Sequence, residues 1–305
     1  MARIAIVGGG VLGLLAAFWA LRQGDTVDLV DPGDDGAISW NGARIVRDPR
    51  IGAGDNTRPW SAVLKLLGHG AVDARPVVHL EDAHQVAEPL AFCLDTARVR
   101  VLLHARLDAE PHFTWHRTKV MRIEAEGRAL RLADGQLMRP DAAIVAAGQG
   151  SADLAGDPGA IQMRWQVCAE LPRVPPAVRT PFVQHKAGHG LWGTPAVGAQ
   201  PAKISASDLC FDSRAEAEAF VASPVGRGAF LVRARQLPEA VAVCPDSITE
   251  GDVCWRIDSY AASLAPRIRQ IGRTTLHLAC DGGLFKRAPM VAEALLETLK
   301  PGVMM

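Results

Sequence analysis

The sequence has no excess of charge of either sign, since 33 Lys and Arg residues face 33 Asp and Glu residues. A balanced chain has no global field that would draw it to nucleic acid or to an anionic membrane surface. It also lacks an apolar run of the roughly 20 residues that a membrane-spanning helix needs. We therefore expect neither nucleic acid nor a membrane as a partner, and any recognition of anions must be local.

Metal-binding spacings are missing as well. The six cysteines are scattered along the chain, and the nine histidines have no ligand spacing. The apolar stretch 4–21 contains several glycines and has neither the basic flank nor the cleavage signature of a secretory signal. These observations predict a protein of the reducing cytoplasm without a metal site.

What the sequence does have is apolar residues, which make up 49% of 305 and can bury a sizeable core in one large domain or two interleaved ones. A short apolar run over 3–7 ends in glycines, a stretch with helical apolar spacing follows over 12–22, and residues 26–31 indicate another strand. This order predicts a βαβ unit at the start of the chain.

Three glycines, Gly8, Gly10 and Gly13, form a G-x-G-x-x-G pattern between the first predicted strand and helix. The first glycine makes the tight turn, the second lets the backbone approach a pyrophosphate, and the third lets the helix pack on the sheet. Asp31, at the end of the second predicted strand, is placed to accept a hydrogen bond from a ribose hydroxyl. The pattern predicts a dinucleotide site but does not choose between FAD and NAD.

The later segments indicate further helices and strands, with glycine and proline marking their ends. In chain order they predict a helix from Asp95 and Thr96 to about Leu107, a strand pair over 119–124 and 129–132, a buried strand over 142–147 that ends at Gly148, an antiparallel sheet with proline-rich turns from 162 to about 206, a solvated helix over 214–222, a strand over 274–279, and a closing helix from about Pro289 to Lys300.

Four more segments carry a resemblance: Ser39-Trp-Asn-Gly-Ala-Arg-Ile-Val-Arg47, Lys203-Ile204 after Gly190-Leu-Trp-Gly-Thr-Pro195, Cys254-Trp255, and Gly282-Gly-Leu-Phe-Lys286 followed by Ala288-Pro289. They resemble the monomeric sarcosine oxidase and N-methyltryptophan oxidase family of FAD-dependent amine oxidases, within the D-amino acid oxidase-like superfamily. Their order and separations are similar to those of the family. The resemblance covers most of the chain, except about residues 70–95, which are shortened.

The resemblance implies an α/β fold in which a Rossmann-like FAD-binding domain is interleaved with an antiparallel-sheet substrate domain. The FAD-binding domain is expected over 1–70, 96–160 and 255–305, and the substrate domain over 71–95 and 161–254. Beyond the first glycines and Asp31, the residues implied at the cofactor are Ser39, Arg44, Val120, Gly148, Cys254, Gly282, Gly283, Leu284, Phe285 and Lys286.

The resemblance also implies roles for individual side chains. Arg47 and Lys286 are expected to bind the substrate carboxylate, since two converging cations select amino acids over simple amines. Arg44 and Arg50 are rivals of Arg47, and Arg44 matches a family arginine nearer the flavin ring. Lys203 is the candidate for oxygen activation, because an ammonium beside the flavin stabilises the negative charge that develops on dioxygen. Each of these cations has the alternative of a solvated surface position.

Two further expectations concern the flavin itself. Cys254 is implied as the site of an 8α-thioether to FAD, although a free cysteine is more often a small buried hydrophobe. The start of the closing helix, near Ala288 and Pro289, is expected to face the flavin pyrimidine carbonyl, where its positive end favours the anionic reduced flavin.

The expected reaction is hydride transfer from the α-carbon of a small, secondary amino acid to the flavin, followed by reduction of dioxygen to hydrogen peroxide. Three departures from the family bear on the substrate: Trp40 replaces a common histidine, Leu284 replaces a glycine, and Arg256 replaces an aromatic contact. Arg256 leads to the hypothesis of a second anionic group on the substrate. Its alternative is a salt bridge to a neighbour such as Asp258.

Other functions fit the same sequence. A flavin dehydrogenase would pass electrons to a quinone or a partner protein instead of dioxygen. A primary-amine oxidase of the glycine or D-amino acid type shares the same opening motif. A catalytically degenerate FAD-binding protein would hold the flavin without turnover, which the shortened stretch at 70–95 makes conceivable.

Overall fold

A computed structural model of the chain describes most of the sequence in side-chain detail. The described residues are 1–33, 38–40, 44–46, 57–68, 72–73, 76–81, 84–88, 91–157, 161–172, 178–184, 190–238, 241, 248–261, 268–278 and 284–299. The predicted site residues Arg47, Gly282 and Gly283 lie outside these ranges.

The described residues form nineteen strands and seven α-helices. The strands are β1 (Arg3–Val7), β2 (Thr26–Val30), β3 (Arg44–Val46), β4 (Val72–Asp73), β5 (Val77–Glu81), β6 (His84–Glu88), β7 (Phe92–Leu94), β8 (Phe113–His116), β9 (Val120–Glu124), β10 (Ala129–Leu132), β11 (Leu137–Met138), β12 (Ala142–Val145), β13 (Met163–Leu171), β14 (Phe182–Gln184), β15 (Leu191–Thr194), β16 (Ala202–Phe211), β17 (Cys254–Ala261), β18 (Ile268–Ile271) and β19 (Thr274–His277). The helices are α1 (Val11–Arg22), α2 (Thr57–Leu67), α3 (Thr96–Asp108), α4 (Gly150–Leu154), α5 (Arg214–Ala222), α6 (Pro224–Arg235) and α7 (Leu284–Glu297).

The chain divides into two compact, discontinuous units. The first unit comprises Met1–Trp40, Arg100–Gln162 and Ala261–Met305, and the second comprises Asn41–Val99 and Met163–Tyr260. Residues 41–70, 96–99 and 255–260, which the sequence assigns to the FAD-binding domain, belong to the second unit. The reason is long-range pairing, because β3 and β4 both pair antiparallel with β7 in a small sheet.

The first unit is built on a six-stranded sheet in the order β18-β19-β12-β1-β2-β8. Its pairs are parallel except at the edge, where β18 runs antiparallel to β19. The central strand β1 is apolar and buried from Ile4 to Val7, as expected for a parallel strand that is covered on both faces. Helix α1 packs against α7. The predicted βαβ opening is confirmed.

The closing helix starts earlier than we predicted. Helix α7 begins at Leu284, so Pro289 lies inside it and not at its first position. Proline was interpreted as a start signal because its missing N–H costs nothing in the first turn. In the structure the apolar face formed by Phe285, Ala288, Pro289 and Ala292 is buried, and this packing outweighs the local preference.

The second unit contains a seven-stranded sheet in the order β17-β13-β16-β15-β14-β5-β6. The pairs β13–β16, β15–β16, β14–β15 and β5–β6 are antiparallel, whereas β14 and β5 are parallel, so the sheet is mixed and not purely antiparallel. One face is covered by α5 and α6, with Phe230 and Leu231 in the core. The predicted helix α5 is confirmed and has a capping box between Ser213 and Glu216.

Candidate functional site

The glycine-rich turn joins β1 to α1 in the first unit. Gly8 has a φ of 107°, and a Cβ there would lie 2.5 Å from the carbonyl oxygen of Ala146. A Cβ on Gly13 would overlap the carbonyl oxygen of Gly8. Position 8 therefore requires glycine for its backbone conformation. Position 13 requires glycine because the helix and the turn approach closely there.

The N-terminus of α1 has no side-chain cap. Gly10 is its N-cap, with no side-chain hydrogen bond to the first turn and no acidic residue in that turn. A Cβ on Gly10 would meet only the hydroxyl of Ser39, at 3.4 Å. Unpaired N–H groups at the start of a helix, together with its dipole, favour a phosphate. These residues fit the diphosphate of a dinucleotide.

Asp31 follows β2 and is fixed beside the turn. Its Oδ2 accepts a hydrogen bond from the Gly9 N–H at 2.6 Å, and its Oδ1 accepts one from the Gly33 N–H at 2.8 Å. A carboxylate has about four acceptor positions, so two bonds leave capacity for a further donor such as a ribose hydroxyl.

The other predicted cofactor residues of the first unit lie at ends of elements. Gly148 follows β12 with a φ of 59°, and a Cβ there would have no neighbour within 4 Å. Val120 is the first residue of β9, and Leu284 and Lys286 lie half-buried in the first turn of α7. Phe285 is buried between them, 4% exposed.

Trp40 connects the glycine-rich turn to the closing helix. Its indole N–H donates to the carbonyl oxygen of Gly9 at 3.1 Å. Its ring meets that of Phe285 edge-on, with centroids 6.3 Å apart and planes at 89°. The structure therefore brings the start of α7 next to the glycine-rich turn, two segments that the sequence predicted to share a ligand.

Lys203 lies in β16 of the second unit and is almost fully buried, 2% exposed. It stands opposite Glu170 of β13 and Thr194 of β15, and its ammonium lies 5.5 Å from the ring centroid of Trp192. Burial lowers the pKa of Lys203 to about 8, and the positive charge of Arg44 acts in the same direction. A solvated strand lysine, which we had kept as the alternative, does not describe this residue.

Arg44 begins β3 and is half-buried. Burial lowers the pKa of its guanidinium, while the charge of Asp258 acts against this effect. Burial raises the pKa of the Cys168 thiol, in β13, to about 11. The positive charges of Lys203 and Arg44 lower this pKa but have the smaller effect. The thiol is therefore protonated at neutral pH and is not a nucleophile.

Arg256 forms the salt bridge that we had considered as its alternative role. Its Nε lies 3.1 Å from Asp258 Oδ1, and its Nη1 lies 3.2 Å from Glu170 Oε1. The side chain is nevertheless 37% exposed. Two carboxylates therefore already balance this cation, and its contact with an anionic substrate stays a prediction.

Sequence reasoning missed Glu170 and Cys168 and gave Asp258 only as a possible partner. A period of two does place Arg256 and Asp258 on one face of β17. Nothing local shows that β13 lies between β17 and β16, and this strand order is what joins these side chains to Lys203.

Cys254 is exposed at the first position of β17. The neighbouring Trp255 packs on the core, in edge contact with Phe220 and Phe230. Alternation along the strand thus gives Cys254 and Trp255 opposite environments. The thioether to FAD stays a prediction.

Two features are absent from the described residues. They contain no cluster of three or more His, Cys, Asp or Glu side chains that could hold a metal ion. In the part of the chain that is described, no helix has the length and apolar character needed to cross a membrane.

Solved structures match this chain over nearly its whole length, although no protein family and no curated protein matches its sequence. Iminodiacetate oxidase from Chelativorans sp. BNC1 is 16% identical, with a TM-score of 0.69 over 99% of this chain and 97% of that one. Glycine oxidase from Geobacillus kaustophilus is 16% identical, with a TM-score of 0.68 over 99% and 96%. L-proline dehydrogenase from P. horikoshii is 12% identical, with a TM-score of 0.72 over 99% and 94%.

This chain shares their fold. The predicted α/β architecture, with a Rossmann-like domain and an interleaved second domain, is thereby confirmed. Identities this low establish a shared fold and not a shared activity, because one fold can carry different chemistries.

Proposed function

We propose that this chain is an FAD-dependent oxidoreductase that oxidises the C–N bond of a small amino acid. The observation that carries the proposal is the cradle formed by Gly8, Gly10 and Gly13, with Asp31 beside it and an uncapped helix behind it. Its fit to a dinucleotide and the shared fold with amino acid oxidases support FAD over other anionic ligands.

The residues of the first unit have distinct roles in this proposal. The N–H groups at the start of α1 bind the diphosphate, and Asp31 accepts a hydrogen bond from a ribose hydroxyl. Ser39, Val120, Gly148 and the first turn of α7 contact the rest of FAD. Bound FAD supplies the acceptor for two electrons and a hydride.

The substrate is proposed to be a small, secondary amino acid held by its carboxylate. Arg47 and Lys286 are the proposed cationic pair, with Arg44 nearer the flavin. Iminodiacetate and proline, which two of the structural neighbours are named for, are secondary amines, and glycine is a primary amine. The reaction removes two electrons and two protons from the amine to give an imine, which water hydrolyses.

Lys203 is proposed to act on the second substrate, dioxygen. Its ammonium stabilises negative charge as dioxygen takes up two electrons and two protons to become hydrogen peroxide. A pKa of about 8 keeps most of this lysine charged at neutral pH, within a buried site where a charge acts strongly.

Purified protein provides the first test of this proposal. We expect it to be yellow, to bleach without oxygen when a small secondary amino acid is added, and to release one peroxide per amine oxidised in air. A colour retained in the acid-precipitated pellet would support a bond between FAD and Cys254. Bound FAD that no amine bleaches would refute amine oxidation.

A dehydrogenase is the second candidate, since L-proline dehydrogenase shares the fold at a TM-score of 0.72. The two candidates differ in the electron acceptor. Bleaching by amine with little peroxide, and rapid turnover with an artificial quinone, would favour the dehydrogenase.

A further inference from the structure

Trp40 is buried, 5% exposed, at the end of a short 3-10 turn over Ile38–Trp40. Its indole N–H donates a hydrogen bond to the glycine-rich turn, at the carbonyl oxygen of Gly9. A buried indole N–H that is bonded to backbone fixes both the ring and the peptide group to which it donates.

The backbone of Gly9 is held from two directions. Its N–H donates to Asp31 Oδ2 at 2.6 Å, and its carbonyl oxygen accepts from Trp40 Nε1 at 3.1 Å. These groups belong to consecutive peptide planes, between Gly8 and Gly9 and between Gly9 and Gly10. Three glycines in a row have large conformational freedom, so the two side chains restrict a segment that would otherwise be costly to order.

The same indole supports the first turn of α7. Phe285 is the second residue of that helix, and its ring meets the Trp40 ring in the edge-to-face geometry that aromatic pairs prefer. Trp40 therefore touches two of the segments of the first unit that the proposed function assigns to the cofactor.

We infer that Trp40 is a positioning residue, which orders the Gly8–Gly10 turn and the first turn of α7 for FAD. This inference rests on the proposed function and deepens it. Its physical basis is preorganisation, because a turn that is fixed before the ligand arrives does not lose that freedom on binding.

The decisive experiment compares the affinity of apoprotein for FAD, measured by quenching of flavin fluorescence. Trp40→Phe keeps an aromatic ring beside Phe285 and removes the indole N–H. We expect FAD binding to weaken about tenfold, the usual effect of losing one hydrogen bond to a buried partner. Trp40→Leu removes both contacts and should weaken binding further.

Trp19→Phe is the matched control. Trp19 lies on α1 in the same unit, and its buried indole N–H has no hydrogen-bond partner among the described residues. Its replacement should leave the affinity for FAD unchanged. Phe285→Leu provides a second route if a Trp40 variant does not fold, since it removes the ring contact from the helix side.

A positioning role predicts that these variants lose affinity for FAD. A merely structural role predicts that only the stability of their apoproteins falls. If Trp40→Phe and Phe285→Leu bind FAD as tightly as wild type, the inference is wrong, even if their apoproteins melt at lower temperature. If wild-type protein binds no FAD, the proposed function fails first and the inference fails with it.

Discussion

Asp28 in the first unit and Lys203 in the second are both buried charges on a sheet, but their surroundings differ. Asp28 accepts hydrogen bonds from Arg3 at 2.6 Å and from His116 at 2.7 Å. Burial alone would raise the pKa of Asp28, but these two hydrogen bonds outweigh it and lower the pKa. Lys203 has a second cation, Arg44, acting on it, and its pKa is lowered by burial.

The two lowered pKa values have opposite meanings for stability. A lowered pKa favours the charged form of a carboxyl group, so Asp28 stabilises the folded chain at neutral pH. A lowered pKa disfavours the charged form of an amine, so the charged Lys203 destabilises the folded chain. A destabilising buried charge that persists in a folded protein is typical of a functional site, which supports the proposed role of the second unit.

The largest effect is expected in the first unit, where backbone segments touch. Gly13→Ala would force α1 away from the Gly8 carbonyl, at a cost of about 3 kcal/mol, and should abolish FAD binding. Gly10→Ala is the control for the fold, since its Cβ has only the Ser39 hydroxyl nearby. Thermal unfolding of the apoprotein should change little for Gly10→Ala, while FAD titration shows weakened binding.

Lys203→Met would sharpen the comparison by separating activity from stability. We expect reoxidation of reduced flavin by dioxygen to slow about 100-fold, the usual loss when one electrostatic donor is removed. The folded chain should become more stable by about 2 to 3 kcal/mol below pH 8, because the desolvated charge is gone.

The sign of the pH dependence follows from the same lysine. Between pH 8 and about 10 the unfolded chain binds the proton more strongly than the folded chain, so wild-type stability rises with pH. The advantage of Lys203→Met should therefore shrink across this range. Denaturant unfolding at several pH values measures it, and a constant difference would contradict the burial of an ionised Lys203.

A smaller effect is expected from Glu170→Gln. Glu170 raises the pKa of Lys203, so its removal should lower that pKa and move the pH at which reoxidation slows to a more acidic value. Stopped-flow reoxidation over pH 6–9 would detect a shift of about half a pH unit, which corresponds to a few-fold change in rate. Glu218→Gln, an exposed carboxylate paired with Arg214 on α5, is the control and should cause no shift.

For Asp28→Asn we expect a loss of stability. Loss of the two charge-assisted hydrogen bonds should destabilise the first unit by about 1 to 2 kcal/mol at pH 7. Since the pKa of Asp28 is lower in the folded chain, the difference from wild type should be fully present above about pH 4 and should shrink as the pH falls from there through the folded pKa. An equal difference at pH 7 and pH 3 would contradict the assignment.

The first unit was predictable from sequence because its signals are local. Gly8, Gly10, Gly13 and Asp31 lie within one βαβ segment, and the structure keeps them together. The start of α7 was predicted too late in the chain, because that prediction used the preference of proline for the first turn of a helix. The burial of one face of the helix determines where it begins. The resemblance supplied Lys203, but no pattern could predict its environment.

Long-range pairing explains what the sequence could not predict in the second unit. Glu170, Lys203 and Asp258 come from strands far apart in the chain, and they meet only through the order β17-β13-β16. Arg44 also reaches Lys203 only through long-range pairing, because it lies on β3, which pairs with β7.

The burial of Cys168 has a further consequence if dioxygen is reduced to hydrogen peroxide nearby. Peroxide attacks thiolates and hardly reacts with thiols, and a pKa of about 11 leaves very little thiolate at neutral pH. The sulfur beside Lys203 is thus kept in its resistant form. The same apolar packing that makes Lys203 costly to charge would protect Cys168 from the peroxide that the proposed reaction forms.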